Sequence, residues 1–181
     1  MRRRVLFFSQ DSHKNKIEIH VWFGRLKFSP ETHLTKLLNV YFPTLPELSI
    51  KKNINGKPYL PNFPLHFNLS HSEKWIAIAF TQKNPIGIDI EVVQSIEDME
   101  QLMTTCFSTR EQAYVREKNS LFRFWEIWSK KEACFKALGV GLQDNARDWD
   151  CFGHEWTFVQ KVWVKSLHIK KSLALAISIY N

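Results

Sequence analysis

Asp89 and Glu91 in "GIDIE" (87–91) alternate with Ile88 and Ile90 in a stretch that otherwise has the character of a buried strand. In an extended chain successive side chains point to opposite faces. Ile86, Ile88 and Ile90 then share one face, and Asp89 and Glu91 share the other with their Cβ atoms about 7 Å apart. That spacing suits one hard cation: Mg²⁺ favours oxygen ligands, takes one or two carboxylates from protein, and completes its shell with water and phosphate oxygens. The plainer reading is a half-exposed strand with a wet polar face, and the pentapeptide alone leaves both open.

A second set lies in "WSKKEACFKALGVG" (128–141), where Trp128, Glu132 and Lys136 fall at i, i+4 and i+8 of a helix. As a surface pair, Glu132 and Lys136 contribute only about 0.2–0.5 kcal/mol to an isolated helix. If this face meets the acidic face of the strand, Glu132 supplies a third carboxylate and Lys136 an ammonium for a phosphate. A third set comprises Lys57 in "GKP" (56–58) and Ser70 and His71 in "FNLSHS" (67–72), an ammonium, a hydroxyl and an imidazole on what reads as a Pro-constrained loop. Together they suit phosphate oxygens, although each alone has an ordinary loop reading. Adjacent Ser70 and His71 are poorly placed as a nucleophile and its base, and no G-x-S-x-G elbow is present. The histidines lack the H-E-x-x-H or Cys-His spacing of zinc sites. Glu111 closes a Ser-x-x-Glu capping box, "STRE" (108–111), so it has a structural reading of its own.

The elements that must position these groups are legible in outline. "KIEIHVWF" (16–23) alternates as a strand, and "SPETHLTKLLNVYF" (29–42) reads as a helix with Ser29 as N-cap and Pro30 at its first position. The stretch 53–74 reads as long and irregular, with a tight turn at Asn55-Gly56 and Pro58, Pro61 and Pro64 opposing helix. Irregular segments of that length in a compact protein usually serve function. Strands follow at 75–81 and 85–93, then helical stretches through 95–107, from 108, and over 122–139 up to Gly139. The tail returns to strands in "EWTFVQKVWV" and "SLALAISIY". The echo of "WIAIAFT" in "LALAISIY" hints at internal duplication.

The 181 residues, 44% hydrophobic and 14% aromatic, suffice for a sizeable core and argue against a disordered or fibrous chain. An excess of 25 Lys and Arg over 18 Asp and Glu, a net charge of +7, favours an anionic partner. Cys106, Cys134 and Cys151 are odd in number and widely spaced, which suggests neither a disulfide framework nor a zinc knuckle and fits a reducing compartment. The apolar run Val5 to Phe8 is shorter than a signal peptide requires, and no run approaches the length of a spanning helix. The expectation is a soluble, cytoplasmic protein that does not engage membranes.

In order and spacing, "GKPYLPNFPLHFNLSHS", "GIDIE", "FSTRE" and "WSKKEACFKALGVG", from about residue 53 to 141, resemble the 4′-phosphopantetheinyl transferases of the larger single-chain group with two related halves. The resemblance implies an α+β fold of two pseudo-symmetric subdomains, each a small antiparallel sheet packed with helices. A shortened, nucleotide-contacting subdomain would span 1–85, and 86–181 would carry the metal and catalytic motifs. It implies Mg²⁺ on Asp89, Glu91 and Glu132, and contacts to coenzyme A from Lys57, Ser70, His71, Lys131 and Lys136. Glu132, Lys136 and Glu111 would be the catalytic set, with the proton acceptor either Glu132 or a metal-bound water near Glu111. The implied reaction passes phosphopantetheine from coenzyme A to a serine of an acidic acyl or peptidyl carrier protein, by a monomer with its site between the halves. The family's arginine in the helix before the loop is missing: that helix carries His33, Thr35 and Lys36, leaving Arg25, Lys27 or Lys36 to meet the nucleotide's 3′-phosphate. Two other readings stand beside this one. Trp149, Trp156 and Trp163 among lysines fit a basic nucleic-acid-binding module, although core is their plainer role, and an inactive relative would still dock carriers.

Overall fold

The alternation in "KIEIHVWF" and the helical spacing after it are realised as strand and helix in the computed structural model, which describes residues 1–8, 16–43, 49–61 and 63–181. The chain begins with β1 (Arg2–Phe8) and β2 (Ile17–Arg25), then α1 (Pro30–Tyr41), whose first turn is capped by the Ser29 hydroxyl accepting from Thr32 N. A two-rung hairpin, β3 (Lys51–Lys52) and β4 (Pro58–Tyr59), turns through Gly56 at φ +81°, a conformation glycine adopts without steric cost. β5 (His66–Ser72) and β6 (Trp75–Thr81) close the first half. The second half contains β7 (Ile86–Val92), α2 (Met99–Cys106), α3 (Thr109–Glu117), α4 (Ser120–Leu138), β8 (Thr157–Val159), β9 (Val162–Ser166) and β10 (Leu173–Tyr180). The expected capping box is present: Glu111 N donates to Ser108 Oγ and Ser108 N to Glu111 Oε2. Gly139 ends α4 in the left-handed region at φ +74°.

The strands form two four-stranded antiparallel sheets in the orders β1-β2-β6-β5 and β7-β10-β9-β8. Without the outer strands β1 and β8, the first reads β2-β6-β5 and the second β7-β10-β9. Each half runs strand, helix, strand, strand, with its last strand inserted between the other two. The echo between "WIAIAFT" and "LALAISIY" thus falls on β6 and β10, which occupy equivalent middle positions. The fold is α+β, and its two halves share one topology.

Three apolar clusters give the layering. Leu34, Leu37 and Leu38 of α1 pack on Phe67, Ile76, Ile78 and Phe80, the outer face of the first sheet. Ile19, Val21, Ala77 and Ala79 on its inner face meet Ile86, Ile88, Ile90, Leu175 and Ile177 of the second sheet. The far face of the second sheet is covered by α4, whose Phe124, Ile127, Cys134 and Phe135 form the third cluster with Val162, Val164 and Ala174. The order is helix, sheet, sheet, helix. Of the tryptophans considered for nucleic acid, Trp149 is buried against Phe135, while Trp156 and Trp163 are half-buried and pack on Phe8.

Two expectations are corrected. "FNLSHS" is part of strand β5 rather than an irregular loop, because its Asn-Leu-Ser-His-Ser alternation fits a sheet edge. The helical stretch expected over 95–107 is shorter, starting only at Met99.

Candidate active site

β7 is held by its isoleucines: Ile86, Ile88 and Ile90 are each fully buried between the sheets. The opposite face presents Gly87, Asp89 and Glu91 toward α4. At Gly87 a Cβ would lie 2.0 Å from Ala133 O and 2.5 Å from Ala137 N, so the backbone of α4 rests directly on the strand. Ser178, paired with Gly87 across β7 and β10, donates its hydroxyl to Ala133 O at 2.6 Å and fixes this approach. One helical turn on, Lys136 reaches the strand's carboxylate. The helix and strand faces separated in sequence do meet.

Asp89 is 1% exposed, and its Oδ1 receives Lys136 Nζ at 2.6 Å and the Ser70 hydroxyl at 2.8 Å; Lys136 Nζ also donates to Ser70 Oγ at 3.0 Å. Ser72 donates to Glu91 Oε2 at 2.6 Å while accepting from Val92 N. Ile88 N donates to Asn68 Oδ1 at 2.9 Å. Asn68, Ser70 and Ser72 therefore lace β5 to β7 at alternate positions. The sequence singles out neither Asn68 nor Ser72, because the upstream prolines give the segment the character of a loop. Their period-two polar pattern was the available signal.

The electrostatics concentrate negative charge here. Burial, followed by repulsion from Asp89, pushes Glu91 up to about 7, against a partial lowering by the Ser72 hydroxyl and Lys136. Burial and then Asp89 also raise Glu132, which Lys136 opposes. Asp89 Oδ2 is buried and, among the described residues, has no hydrogen-bond partner. The site thus holds an oxygen-only donor set, an orphaned carboxylate oxygen, and carboxylates that resist sharing charge. That chemistry fits a hard divalent cation. Among the described residues no three His, Cys, Asp or Glu side chains converge into a ready ligand cluster, and the positive partner of Asp89 is Lys136.

Other expected site residues fall elsewhere. Lys57 donates its ammonium to Ile86 O and Ala137 O, each at 3.0 Å, tying the end of α4 to β7, and burial lowers its pKa to about 8. His71 lies between Ser70 and Ser72 on β5 and, by alternation, is exposed. Lys131, expected at coenzyme A, is buried. Its side chain is 1% exposed and pairs with Glu111 at 2.8 Å, while Nζ also bonds Ala146 O and Trp149 O. Glu111 is fully buried, with one oxygen on Ser108 N and Lys131 and the other on Cys151 N. Helical phase explains this placement: Lys131 lies adjacent to Glu132 in sequence but about 100° around the helix.

A family model described as the 4′-phosphopantetheinyl transferase superfamily matches residues 85–178. Relatives include the 4′-phosphopantetheinyl transferase gsp of Aneurinibacillus migulanus, 30% identical over 145 residues that cover 75% of this chain and 60% of the relative. AcpT of Salmonella typhi, also a 4′-phosphopantetheinyl transferase, is 36% identical over 107 residues, 57% of this chain and 55% of that one. The corresponding Sfp of Bacillus subtilis strain 168 is 38% identical over 91 residues, 48% and 39% of the two chains. The chain therefore aligns with less than two thirds of the length of these relatives.

Proposed function

Since the chain belongs to the 4′-phosphopantetheinyl transferase superfamily, we propose that it transfers 4′-phosphopantetheine from coenzyme A to a serine hydroxyl of an acyl or peptidyl carrier protein. The observation carrying this reading is the buried Asp89 carboxylate, with one oxygen held by Lys136 and Ser70 and the other unpartnered among the described residues. Asp89, Glu91 and Glu132 are the residues to hold Mg²⁺, which when bound would neutralise pyrophosphate charge. Lys136 and Ser70, which converge on Asp89 Oδ1, are the pair to meet the phosphates. Transfer of this kind depends on positioning and charge neutralisation more than on covalent help from the protein.

The serine oxygen forms a bond to the phosphorus bearing pantetheine as the bond to the bridging pyrophosphate oxygen breaks, releasing adenosine 3′,5′-bisphosphate. The serine proton passes to Glu132, whose carboxyl is held above its ordinary pKa by burial and then by Asp89, against Lys136. Glu111 is assigned instead to the capping box and to Lys131, since both of its oxygens are engaged inside the core. The protein would act as a monomer in the cytoplasm, with its net charge of +7 steering an acidic carrier. Among the described residues no helix is long and apolar enough to cross a membrane.

Purified protein incubated with coenzyme A, Mg²⁺ and a panel of carrier proteins should add phosphopantetheine to at least one, read by intact mass. Asp89→Ala and Glu132→Ala should each lower the rate by about a hundredfold or more. Unchanged rates in both would refute the metal assignment, and failure of the wild type on every carrier would refute the transferase reading.

A further inference from the structure

Two of the three cysteines, 17 positions apart in the chain, meet in the fold: Cys134 Sγ and Cys151 Sγ lie 3.9 Å apart. Cys134 stands on α4 between Glu132 and Lys136, and Cys151 lies in 139–156, the segment joining α4 to β8. Both are free thiols and fully buried, and neither takes part in the proposed transfer. Their approach is held from several sides. One turn back along α4, Lys131 Nζ donates to Ala146 O and Trp149 O, and Lys130 Nζ donates to Gly153 O. Carbonyls before and after Cys151 are thus pinned to the helix that carries Cys134. Cys151 N also donates to Glu111 Oε1 at 2.7 Å, and α4 itself rests on β7 at Gly87.

Bonded sulfurs lie about 2.05 Å apart, so a closure of roughly 1.9 Å separates this pair from a disulfide. That movement falls on side-chain rotation and on 139–156, because the backbone of α4 is fixed against β7. We propose that Cys134 and Cys151 are a latent disulfide, closed by a peroxide, that clips 139–156 to the helix bearing Glu132 and Lys136. Hydrogen peroxide oxidises one thiol to a sulfenic acid and releases water; the other sulfur then displaces the sulfenic oxygen as a second water and the S–S bond forms. The two thiols give up two hydrogens and two electrons, which reduce the O–O bond. A dithiol reductant reverses the step by thiol–disulfide exchange. Because both sulfurs are buried, the peroxide reaches them through local opening of 139–156.

In the test, the folded full chain is treated with hydrogen peroxide, unfolded in urea with excess iodoacetamide, and read by intact mass and peptide mapping. Cys106 should be the one alkylated cysteine in place of three, with a peptide pair joined through Cys134 and Cys151. Dithiothreitol should restore all three thiols. The linked protein should unfold at a higher urea concentration than the reduced one, because the bond constrains the unfolded chain. Cys106→Ala should form the same link, and Cys151→Ala should show neither the link nor the rise. A link through Cys106 or between two chains, sulfinic acids without a link, or three thiols surviving conditions that fully oxidise glutathione would overturn the proposal. So would a linked protein whose urea midpoint is unchanged or lower, since the bond would then have disrupted the packing it is assigned to clip. If Cys151→Ala fails to fold, the wild-type link and the wild-type midpoint with and without dithiothreitol decide the matter. None of these readouts depends on transfer activity.

Discussion

Glu91 shows how a side chain's role follows from what surrounds it. Burial and Asp89 hold its pKa near 7, above the ordinary value of 4.5, so the metal-free fold is stabilised by its protonation. The unfolded chain binds fewer protons than the native one between those two values. This contribution is therefore complete below pH 4.5 and is lost as pH rises through about 7. Glu91→Gln should remove this dependence, gaining about 1 kcal/mol over the wild type at pH 8 after solvent screening, with no advantage at pH 4. Urea melts at the two pH values read it, and identical slopes in variant and wild type would contradict the assignment. Lys131 and Glu111 make the opposite case, a pair sealed inside the core. Lys131→Ala should cost about 3–5 kcal/mol because Glu111 keeps a buried charge without its partner. The variant's KM for coenzyme A, measured well below its melting temperature, should equal that of the wild type; a large increase would restore Lys131 to the ligand site.

At the scale of elements, the contact of α4 with β7 brings Lys136 to Asp89, and Gly87 permits it. Gly87→Ala would force a methyl group to within 2.0 Å of a helix carbonyl and 2.5 Å of a helix amide, both backbone atoms that cannot swing aside. The expected loss is about 3 kcal/mol or more. Thermal melting measures it, and a change below about 0.5 kcal/mol would show that the helix moves freely on the strand. The pattern "GIDIE" carried the face assignments but not this close approach. The glycine read as part of a strand pattern, and the sequence does not display which backbone lies above it. β5 is obscured for a related reason: prolines at 58, 61 and 64 mask a strand that begins only at His66.

At the scale of the whole molecule, the two halves repeat one topology yet share one core. Ile86, Ile88, Ile90, Leu175 and Ile177 pack against the first sheet rather than against their own half's helices. Residues 86–181 expressed alone would expose that apolar face to water and lose the Ser70, Ser72 and Asn68 contacts that support β7. The isolated segment should show no cooperative urea transition and little near-ultraviolet circular dichroism. A sharp transition with native-like signal would establish the second half as an independent unit.

By itself the sequence determined the local terms: strand alternation at 86–91, the Ser108 capping box, the end of α4 at Gly139, and the types of side chain available for chemistry. These depend on dihedral preference and on neighbours within a few residues, so a linear text records them. Only the tertiary structure decided that Lys136 meets Asp89 whereas Lys131 turns inward to Glu111, that Lys57 binds backbone carbonyls, and that Cys134 lies against Cys151. Those outcomes depend on helical phase, on the close contact allowed at Gly87, and on the packing of two sheets across a shared core. Such long-range distances are set by which surfaces exclude water together.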